Sequence, residues 1–447
     1  MSKMKHFKGW MLATAAAVAL TMTGCGGAEE EEAVPEVGTD GELTVTDPAD
    51  VSGDLTVLVH RTDIVDTVFQ DYAAEFQETY PNVNLSFEAI TDYQGQVNIR
   101  MNTKDYGDVL MIPDNVPVED LPHFFEPLGA TEEMLENYLF TDDMAYQGVT
   151  YGIPITINAN GILYNKDVFE EAGVTDVPAT PEEFMEALSA INENTDAIPL
   201  YTNYGAGWPL NQWEPNRVSI AGNPDFTNEL IHTDAPFAEG EPHHILYKVM
   251  YDAADQGLIE GDPLTTDWES SKQMMADGKI ATMVLGSWAI TQVQELAEDP
   301  ESIGYMPFPY TQEDGTIYSA VAADFNIGIN VNSDHKEAAR AWVDFFINDS
   351  NYAVDQGGIS PVVGEDYPST LASFEELGVE FISENPHREG EEGFLDQIDN
   401  ESEVGLWIEG FKQRMIEAGI GNRAETYEDI TNDLNSRWEA GRTRVVE

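Results

Sequence analysis

The segment YGIPITINANGILYNKDVFEEAGV, residues 151–174, joins the two kinds of element from which the fold is built. Its first half is an apolar, β-branched run with Gly152 and Pro154 near its start, which predicts a strand. Its second half reads as a helix. Asn158 and Asn160 interrupt the apolar run, and an amide inside a strand of this kind needs a hydrogen-bonding partner. The segment therefore predicts an α/β unit and raises the question of what its two amides bind.

The same succession of strands and helices fills the region before this segment. DLTVLVHR, residues 54–61, predicts a strand, and the helix that follows carries its apolar residues on one face until Pro81 ends it. VNLSFEAI and GDVLMIP predict two more strands, and this βαβ order is typical of a parallel sheet. Farther along, Thr180, Pro181 and Glu183 have the spacing of a capping box at a helix N-terminus.

The N-terminal region predicts export and lipid attachment. Three lysines precede an apolar run that ends at Gly24-Cys25 and is too short to span a bilayer as a mature helix. Because LTMTGC is similar to the bacterial lipobox, residues 1–24 are expected to be a signal peptide and Cys25 the lipid-modified first mature residue. Several acyl chains hold a protein firmly on a membrane. Residues 25–53, rich in Glu, Gly and Pro, are expected to be a flexible acidic tether.

Composition excludes several classes of protein. Cys25 is the single cysteine, so an internal disulfide and a metal site built on several thiolates are both excluded. The net charge of −63 repels phosphate backbones and argues against a nucleic-acid partner. Most of these acidic residues are expected only to keep the protein surface hydrated. Roughly 390 residues follow the tether, more than one core usually supports, and two domains are therefore expected.

Motifs for common enzymatic chemistry are missing from the sequence. HExxH, GxSxG, the P-loop and the dinucleotide fingerprint do not occur, and no cofactor is expected. His243 and His244 are adjacent and would point apart on a helix, which makes them a poor metal pair. We therefore expect neither a bound metal nor a catalytic residue.

Four stretches resemble one protein family in the family's own order. They are the opening segment with TPEEF after it, MMADGKIATMVLGSWAITQVQE, IGYMPFP and FNIGINVNSDHKEAARAWVDFFI. The resemblance is to the family 1 extracellular solute-binding proteins, the carbohydrate-binding lipoproteins of ABC importers related to maltose-binding protein. It covers most of the chain from Asp54 onward, and it is specific for the family but not for the sugar.

This resemblance implies an α/β, two-lobed, periplasmic-binding-protein-like fold with a ligand cleft between the lobes. Three hinge crossings are expected, near residues 154–158, 304–308 and 358–363. Short extended hinges allow lobes to close over a ligand that binds the closed state better. The implied lobes are residues 54–155 with 304–361, and residues 156–303 with 362–447.

Aromatic side chains are the first group of predicted ligand contacts, because a sugar ring presents flat C–H faces. Tyr204, Trp208 and Trp213 lie in a Gly- and Asn-rich loop, and Trp288 follows a strand, where α/β sheets bind ligands. Trp407 matches the family position of a C-terminal aromatic platform. A buried Trp face contributes up to ~4 to 6 kcal/mol, against ~0.5 to 1.5 for a neutral hydrogen bond. The aromatics are thus expected to carry affinity, unless they pack in the core.

Polar side chains around the sugar's hydroxyl rim are the second group. Arg61 and Asp63 follow the first strand, Asp114 follows another, and Asp324 enters a strand after the second crossing. The family places polar sugar contacts at such loops. Asn158 lies on the first crossing and offers both donors and an acceptor, which suits hydroxyls. The alternatives are a surface role for each acid and a backbone-binding role for Asn158, while Asn160 is expected to be structural.

The leading hypothesis is a binding protein, not an enzyme, that captures a mono- or oligosaccharide and delivers it to an ABC permease. It is expected to be a monomer, lipid-anchored on the extracytoplasmic face of the cell membrane. One alternative is a surface glycosidase or lyase, which needs two carboxyls at a fixed separation. Another is a binding protein for an anionic solute such as a glycerol phosphodiester, for which the candidate loops offer little basic charge beyond Arg61 and Arg217.

Overall fold

Fourteen strands in three sheets form the framework of the computed structural model, which describes residues 47–113, 115–388 and 390–446. The strands are β1 Gly53–Val59, β2 Val83–Ala89, β3 Val109–Ile112, β4 Gly129–Ala130, β5 Ala145–Tyr146, β6 Val149–Thr150, β7 Ile153–Pro154, β8 Ile157–Asn165, β9 Ile198–Leu200, β10 Ile280–Gly286, β11 Ile303–Pro307, β12 Tyr318–Ala323, β13 Asn326–Ile329 and β14 Glu380–Ile382.

Seventeen α-helices occur in the same residues. They are α1 Val68–Thr79, α2 Tyr93–Met101, α3 Leu121–Phe124, α4 Thr131–Asn137, α5 Lys166–Ala172, α6 Pro181–Asn194, α7 Asn216–Ala221, α8 Phe226–Leu230, α9 Pro242–Asp255, α10 Trp268–Ala276, α11 Ala289–Gln294, α12 Lys336–Asn348, α13 Tyr352–Asp355, α14 Ala372–Leu377, α15 Phe394–Ser402, α16 Gly410–Gly419 and α17 Tyr427–Val446. Short 3-10 helices span Pro48–Asp50, Val118–Asp120, Trp208–Trp213, Pro263–Thr265, Pro300–Ser302 and Ser369–Leu371.

The first large sheet has the strand order β2-β1-β3-β13-β7. β1 is parallel to β2 and β3, as the βαβ pattern predicted, and β13 is antiparallel to β3 and β7. α1 buries Phe69, Tyr72 and Phe76, the face predicted from their spacing. Phe69 stacks on Phe346 of α12, with ring centroids 5.9 Å apart. β4, β5 and β6 form a small antiparallel sheet.

The second large sheet is organised around β8, the strand of the opening segment. β8 pairs antiparallel with β10 on one side, and with β11 and then β12 on the other. β9 and β14 extend the sheet at its edges. Gly161 allows β11 to approach, because a Cβ at this position would lie 2.4 Å from the carbonyl oxygen of Met306. The predicted strand therefore becomes the centre of a buried sheet.

Three chain segments connect the two large sheets and hydrogen-bond to one another. Ile155 N donates to Phe325 O at 2.9 Å, and Asp324 N donates to Thr156 O at 2.9 Å. The third segment is joined through Ile359, whose N–H donates to the carbonyl of β8 residue Ile157 at 2.8 Å. The connections therefore run side by side, which is the geometry of a hinge.

One predicted crossing is displaced. Residues 304–308 were expected to connect the lobes, but β11 and β12 both pair with β8, and the chain enters the first sheet only after Ala323. The connection is therefore made by Asp324 and Phe325. The residues of IGYMPFP favour an extended backbone, as a crossing requires. Their pattern does not show which sheet the segment joins.

Local signals of the sequence are found where they were predicted. Thr180 Oγ1 accepts a hydrogen bond from Glu183 N at 3.2 Å, which confirms Thr180 as the N-cap. The Glu183 carboxylate reaches back as in a capping box, but it accepts from Ala179 N, at 2.8 Å, instead of from Thr180 N. Asn160 is buried, and its amide donates to Ala320 O of β12 at 3.0 Å, so it ties strands together. In the described ranges no helix is long and apolar enough to cross a membrane.

Candidate functional site

Three indole rings form a partly exposed cluster beside the second sheet. Trp208 begins the 3-10 helix Trp208–Trp213, Trp268 begins α10, and Trp288 lies between β10 and α11. The ring centroids are 5.2 Å apart for Trp208 and Trp268, 5.7 Å for Trp208 and Trp288, and 5.5 Å for Trp268 and Trp288. Trp208 is 39% exposed and the other two are half-buried. We call these residues the indole cluster.

Local contacts hold the rings of the indole cluster in place. Asp267 caps α10 by accepting a hydrogen bond from Ser270 N at 2.9 Å, which places Trp268 at the first helical position. The ammonium of Lys272 lies 5.3 Å from the centroid of the Trp268 ring, a cation–π contact. Trp288 Nε1 donates to Gln212 Oε1 at 3.4 Å. The rings are therefore held as flat apolar surfaces before any ligand arrives.

Trp268 was not among the ligand contacts predicted from the sequence. The available signal was its position directly after the capping residue Asp267, between a loop and a helix. Trp288 was selected because it follows a strand, whereas Trp268 follows a loop, so that criterion does not select it.

Arg61 and Asp63 form a rigid pair at the end of β1. Arg61 Nε and Nη2 donate to the two carboxylate oxygens of Asp63 at 2.9 and 2.7 Å, a bidentate geometry. Arg61 Nη1 donates to Gln356 Oε1 at 2.5 Å. Burial raises the pKa of Asp63, but the hydrogen bond and charge of Arg61 outweigh it and hold the pKa below its usual value. Asp63 is therefore an ionised acceptor, and its side chain is 55% exposed.

This pair is connected to the indole cluster through intermediate residues, although the two belong to different sheets. The charge of Lys272, which also covers Trp268, contributes to lowering the pKa of Asp63. A second link is Thr291 of α11, whose hydroxyl donates to the backbone oxygen of Gln356 at 3.2 Å. The structure thus brings together an apolar surface and a polar rim from opposite sides of the crossing segments.

His60 and Asp324 lie where the crossing segments meet the first sheet. The His60 ring packs on Phe325 with centroids 4.5 Å apart. Burial lowers the pKa of His60 to about 4, partly opposed by the charge of Asp324, so the imidazole is neutral at neutral pH. Its Nδ1 has no hydrogen-bond partner. Asp324 is half-buried, and its carboxylate accepts a hydrogen bond from Phe325 N at 2.9 Å.

Asn158 lies on β8 beside the indole cluster. Its side chain is half-buried, and its carbonyl oxygen accepts a hydrogen bond from Ser287 Oγ at 3.4 Å. Ser287 immediately precedes Trp288, and its hydroxyl oxygen also accepts a hydrogen bond from Ala159 N at 3.0 Å. The Asn158 Oδ1 contact is long, so this amide keeps hydrogen-bonding capacity for another partner.

Trp407 forms a separate aromatic surface and is 45% exposed. The guanidinium of Arg217 lies 5.0 Å from the centroid of its ring. Arg217 itself is buried and donates to Glu384 at 2.7 Å and to Thr227 at 3.1 Å. One face of the indole therefore rests on a cation that is already paired.

Two of the predicted contacts are core residues instead. Trp213 is only 2% exposed and packs on Phe308, and Tyr204 is buried with its hydroxyl donating to Glu417 at 2.7 Å. The Gly- and Asn-rich loop folds into a 3-10 helix, which has three residues per turn. Trp208 and Trp213 are five positions apart, so their side chains point in different directions. The remaining candidate, Asp114, lies outside the described residues.

Comparison with known proteins assigns the family. A family model for bacterial extracellular solute-binding proteins matches residues 62–353. The chain belongs to this family. It is therefore a binding protein of the extracytoplasmic space and not an enzyme.

Relatives of this solute-binding protein include one curated protein and two solved structures. A multiple sugar-binding protein of Streptococcus mutans is 24% identical over 291 residues, which are 63% of this chain and 68% of the relative. An ABC-transporter binding protein of Bifidobacterium animalis subsp. lactis, solved with mannobiose, is 35% identical with a TM-score of 0.82. A manno-oligosaccharide-specific binding protein of the same organism, solved with mannotriose, is 34% identical, also with a TM-score of 0.82. Each match covers 92% of this chain and 98% of the solved one. The fold is the two-lobed α/β fold of these proteins.

Proposed function

We propose that this solute-binding protein captures a manno-oligosaccharide and delivers it to the membrane subunits of an ABC importer. The observation that carries the proposal is the indole cluster together with the Arg61–Asp63 pair, which is linked to it by hydrogen bonds from Arg61 and Thr291 to Gln356. The choice of ligand follows the two Bifidobacterium structures at 34 and 35% identity. A sugar needs this combination of flat apolar surfaces and fixed polar groups.

The chemistry of the cleft favours a neutral ligand. Asp63 and Gln356 accept hydrogen bonds from three of the five N–H groups of Arg61, and the charge of Arg61 is already paired with the Asp63 carboxylate. A phosphodiester would lie close to the Asp63 carboxylate and compete with it for the charge of Arg61, whereas sugar hydroxyls can bind the exposed oxygens of Asp63 and leave the pair intact. The amide of Asn158 supplies donors as well as an acceptor.

We further propose that each lobe is built on one large sheet. The first lobe would comprise residues 54–155 and 325–361, and the second residues 156–324 and 362–446. The crossing segments then act as the hinge, and a ligand held by the indole cluster and by Asp63 favours closure because it contacts both lobes at once. The expected species in solution is a monomer.

Mannotriose is expected to raise the melting temperature of the protein and to reduce its radius of gyration in solution scattering. Ligand that binds only the folded state at one hundred times its Kd stabilises that state by about 2.7 kcal/mol. The sugar should be recovered intact, which thermal-shift and chromatographic assays on one sample would show. The scattering mass should equal one chain.

A control and two opposing outcomes complete this experiment. A glycerol phosphodiester should leave both quantities unchanged. Formation of a smaller sugar would overturn the binding role, and superimposable scattering curves with and without saturating mannotriose would refute lobe closure. If no member of a carbohydrate panel binds, the proposal that the ligand is a sugar is refuted.

We also propose that Cys25 carries the lipid anchor on the extracytoplasmic face of the membrane. Support comes from the lipobox-like LTMTGC and from the acidic stretch that follows it, which lie outside the described residues as far as residue 46. The end of the predicted tether is not flexible, because Pro48–Asp50 form a 3-10 helix and Val51 is 1% exposed. Cys25→Ser is expected to remove the site of acylation and to release the protein from the membrane, because no acyl chain then holds it. Immunoblots of membrane and medium fractions would check this. Retention of the variant in the membrane fraction would contradict the anchor.

A further inference from the structure

The loop that presents Trp407 is held by side chains on both sides, the half-buried Asp399 and the buried Lys412. Asp399 of α15 accepts hydrogen bonds from Gly405 N at 2.8 Å and from Leu406 N at 3.0 Å. Lys412 of α16 donates to Leu406 O at 2.7 Å and to Ile408 O at 2.8 Å. The peptide groups on each side of the indole are therefore fixed by side chains from two different helices.

Lys412 is suited to hold this loop because all its donors are used. The side chain is fully buried, and its third hydrogen bond goes to Asn211 Oδ1 at 3.3 Å. An ammonium has three donors, and here each has an acceptor. Asn211 belongs to the 3-10 helix Trp208–Trp213, whose first residue is part of the indole cluster. One buried cation thus connects the Trp407 loop to the element that carries Trp208.

The backbone of this loop does not hold its conformation unaided. Glu403 and Gly405 have positive φ values of 54° and 78°, and a non-glycine residue in the left-handed region costs free energy. Ile408, which directly follows Trp407, is 58% exposed and buries little apolar surface. The hydrogen bonds that Asp399 accepts and Lys412 donates add to the burial of Val404 and Leu406 in holding the loop.

We propose that Lys412 is a positioning residue that keeps the Trp407 indole ready as a second stacking surface for the oligosaccharide. The inference rests on the proposed sugar-binding function and extends it, because the site would then comprise two preformed aromatic surfaces joined through one buried cation. A preformed surface avoids the ordering cost that a mobile loop would add to binding.

The charges around Lys412 make its role dependent on pH. Burial lowers the pKa of Lys412 to about 8, and nearby carboxylates oppose this effect only partly. Above this pKa the neutral amine has two donors for three acceptors, so the loop loses support. Sugar affinity should therefore fall as the pH rises through about 8. The groups that face Lys412 are Glu214, Arg217, Asp399, Glu409 and the rings of Tyr247 and Phe411.

Loss of the Lys412 proton should raise folding stability, although it lowers sugar affinity. The unfolded chain, with an ordinary Lys pKa of 10.5, keeps the proton between about pH 8 and 10.5, whereas the folded protein releases it. Stability contributed by this group therefore rises with pH in that window. A loss of affinity there cannot be a consequence of Lys412-linked unfolding.

The test measures mannotriose binding to the full-length protein by calorimetry at about pH 6 and about pH 10, on either side of the Lys412 pKa of about 8. Lys412→Met is expected to weaken binding about tenfold at the lower pH, as Trp407→Ala does. The double variant should bind no more weakly than Trp407→Ala alone, because Lys412 acts through that ring. The alkaline loss of affinity should disappear in Trp407→Ala.

Each of the other outcomes supports or contradicts the positioning role of Lys412. Additive losses in the double variant, or wild-type affinity in Lys412→Met, would overturn the positioning role. If Lys412→Met does not fold, Asp399→Asn replaces it, since it removes the charge that holds the other side of the loop, and the same non-additivity is expected. If the wild-type protein binds no mannotriose at either pH, the proposed function fails and this inference fails with it. If the wild type binds but the losses of the two single variants add in the double variant, the inference alone is wrong.

Discussion

Trp208→Ala should weaken mannotriose binding by at least about tenfold, or about 1.4 kcal/mol, and leave the melting temperature of the unliganded protein nearly unchanged. Trp208 is 39% exposed, and its ring contacts mainly the two other indoles of the cluster. Truncation removes stacking area from the ligand without opening a cavity in a closed core. Calorimetric titration and a thermal melt of the same sample would measure both quantities.

Trp213→Ala is the matched control, because both residues belong to the 3-10 helix Trp208–Trp213. Trp213 is 2% exposed and lies in the main apolar core of the second sheet's helices. Its truncation should lower the free energy of unfolding by about 3 to 5 kcal/mol, as measured by urea denaturation. Equal effects of the two substitutions on stability, or unchanged affinity in Trp208→Ala, would show that the indole cluster is not the sugar surface.

Glu214→Gln should destabilise the protein by about 3 to 5 kcal/mol, the usual cost of removing one partner from a buried ionic group. Glu214 is fully buried, directly after the 3-10 helix that carries Trp208. One carboxylate oxygen lies 2.8 Å from His243 Nε2 and 3.6 Å from Arg217 Nε, and the other accepts a hydrogen bond from Tyr247. The amide would leave Arg217 without its buried countercharge.

The pH dependence of stability gives an independent measure of this group. Burial by itself raises the pKa of Glu214, but the combined charges of His243, Arg217 and Lys412 outweigh it and lower the pKa to about 2. The unfolded value is 4.5, so the contribution is fully present above about pH 4.5 and is lost as the pH falls towards 2. A difference of this size corresponds to about 3 kcal/mol. Urea denaturation across this range should show the loss in the wild type and not in Glu214→Gln.

Glu384→Gln provides the control for this second prediction. Glu384 is also paired with Arg217, at 2.7 Å, but its side chain is 39% exposed. Water can therefore replace the carboxylate, and we expect a loss of at most about 1 kcal/mol. If Glu214→Gln lowers the free energy of unfolding no more than Glu384→Gln does, the burial of Glu214 does not increase its contribution to stability.

Much of the fold follows from local sequence patterns. The β-branched run of residues 157–165 forms a strand, the apolar spacing of α1 gives its buried face, and Thr180 caps the N-terminus of α6 where predicted. These features depend on residues a few positions apart, so a single sequence contains all the information needed. Trp208 and Trp288, chosen for their places between elements, are both in the indole cluster.

The partners of each element were decided only by the tertiary structure. Residues 304–308, predicted as a crossing, form β11 beside β8 instead. Trp213 and Tyr204 are buried, and neither Trp268 nor Lys412 was among the predicted residues. The amide of Asn160 finds its partner 160 positions away, in β12. The period of a sequence shows which face of an element is apolar, whereas what covers that face depends on contacts between distant residues. The ligand surface is what those contacts leave uncovered, and for that reason the sequence specified the kind of site but not its full set of residues.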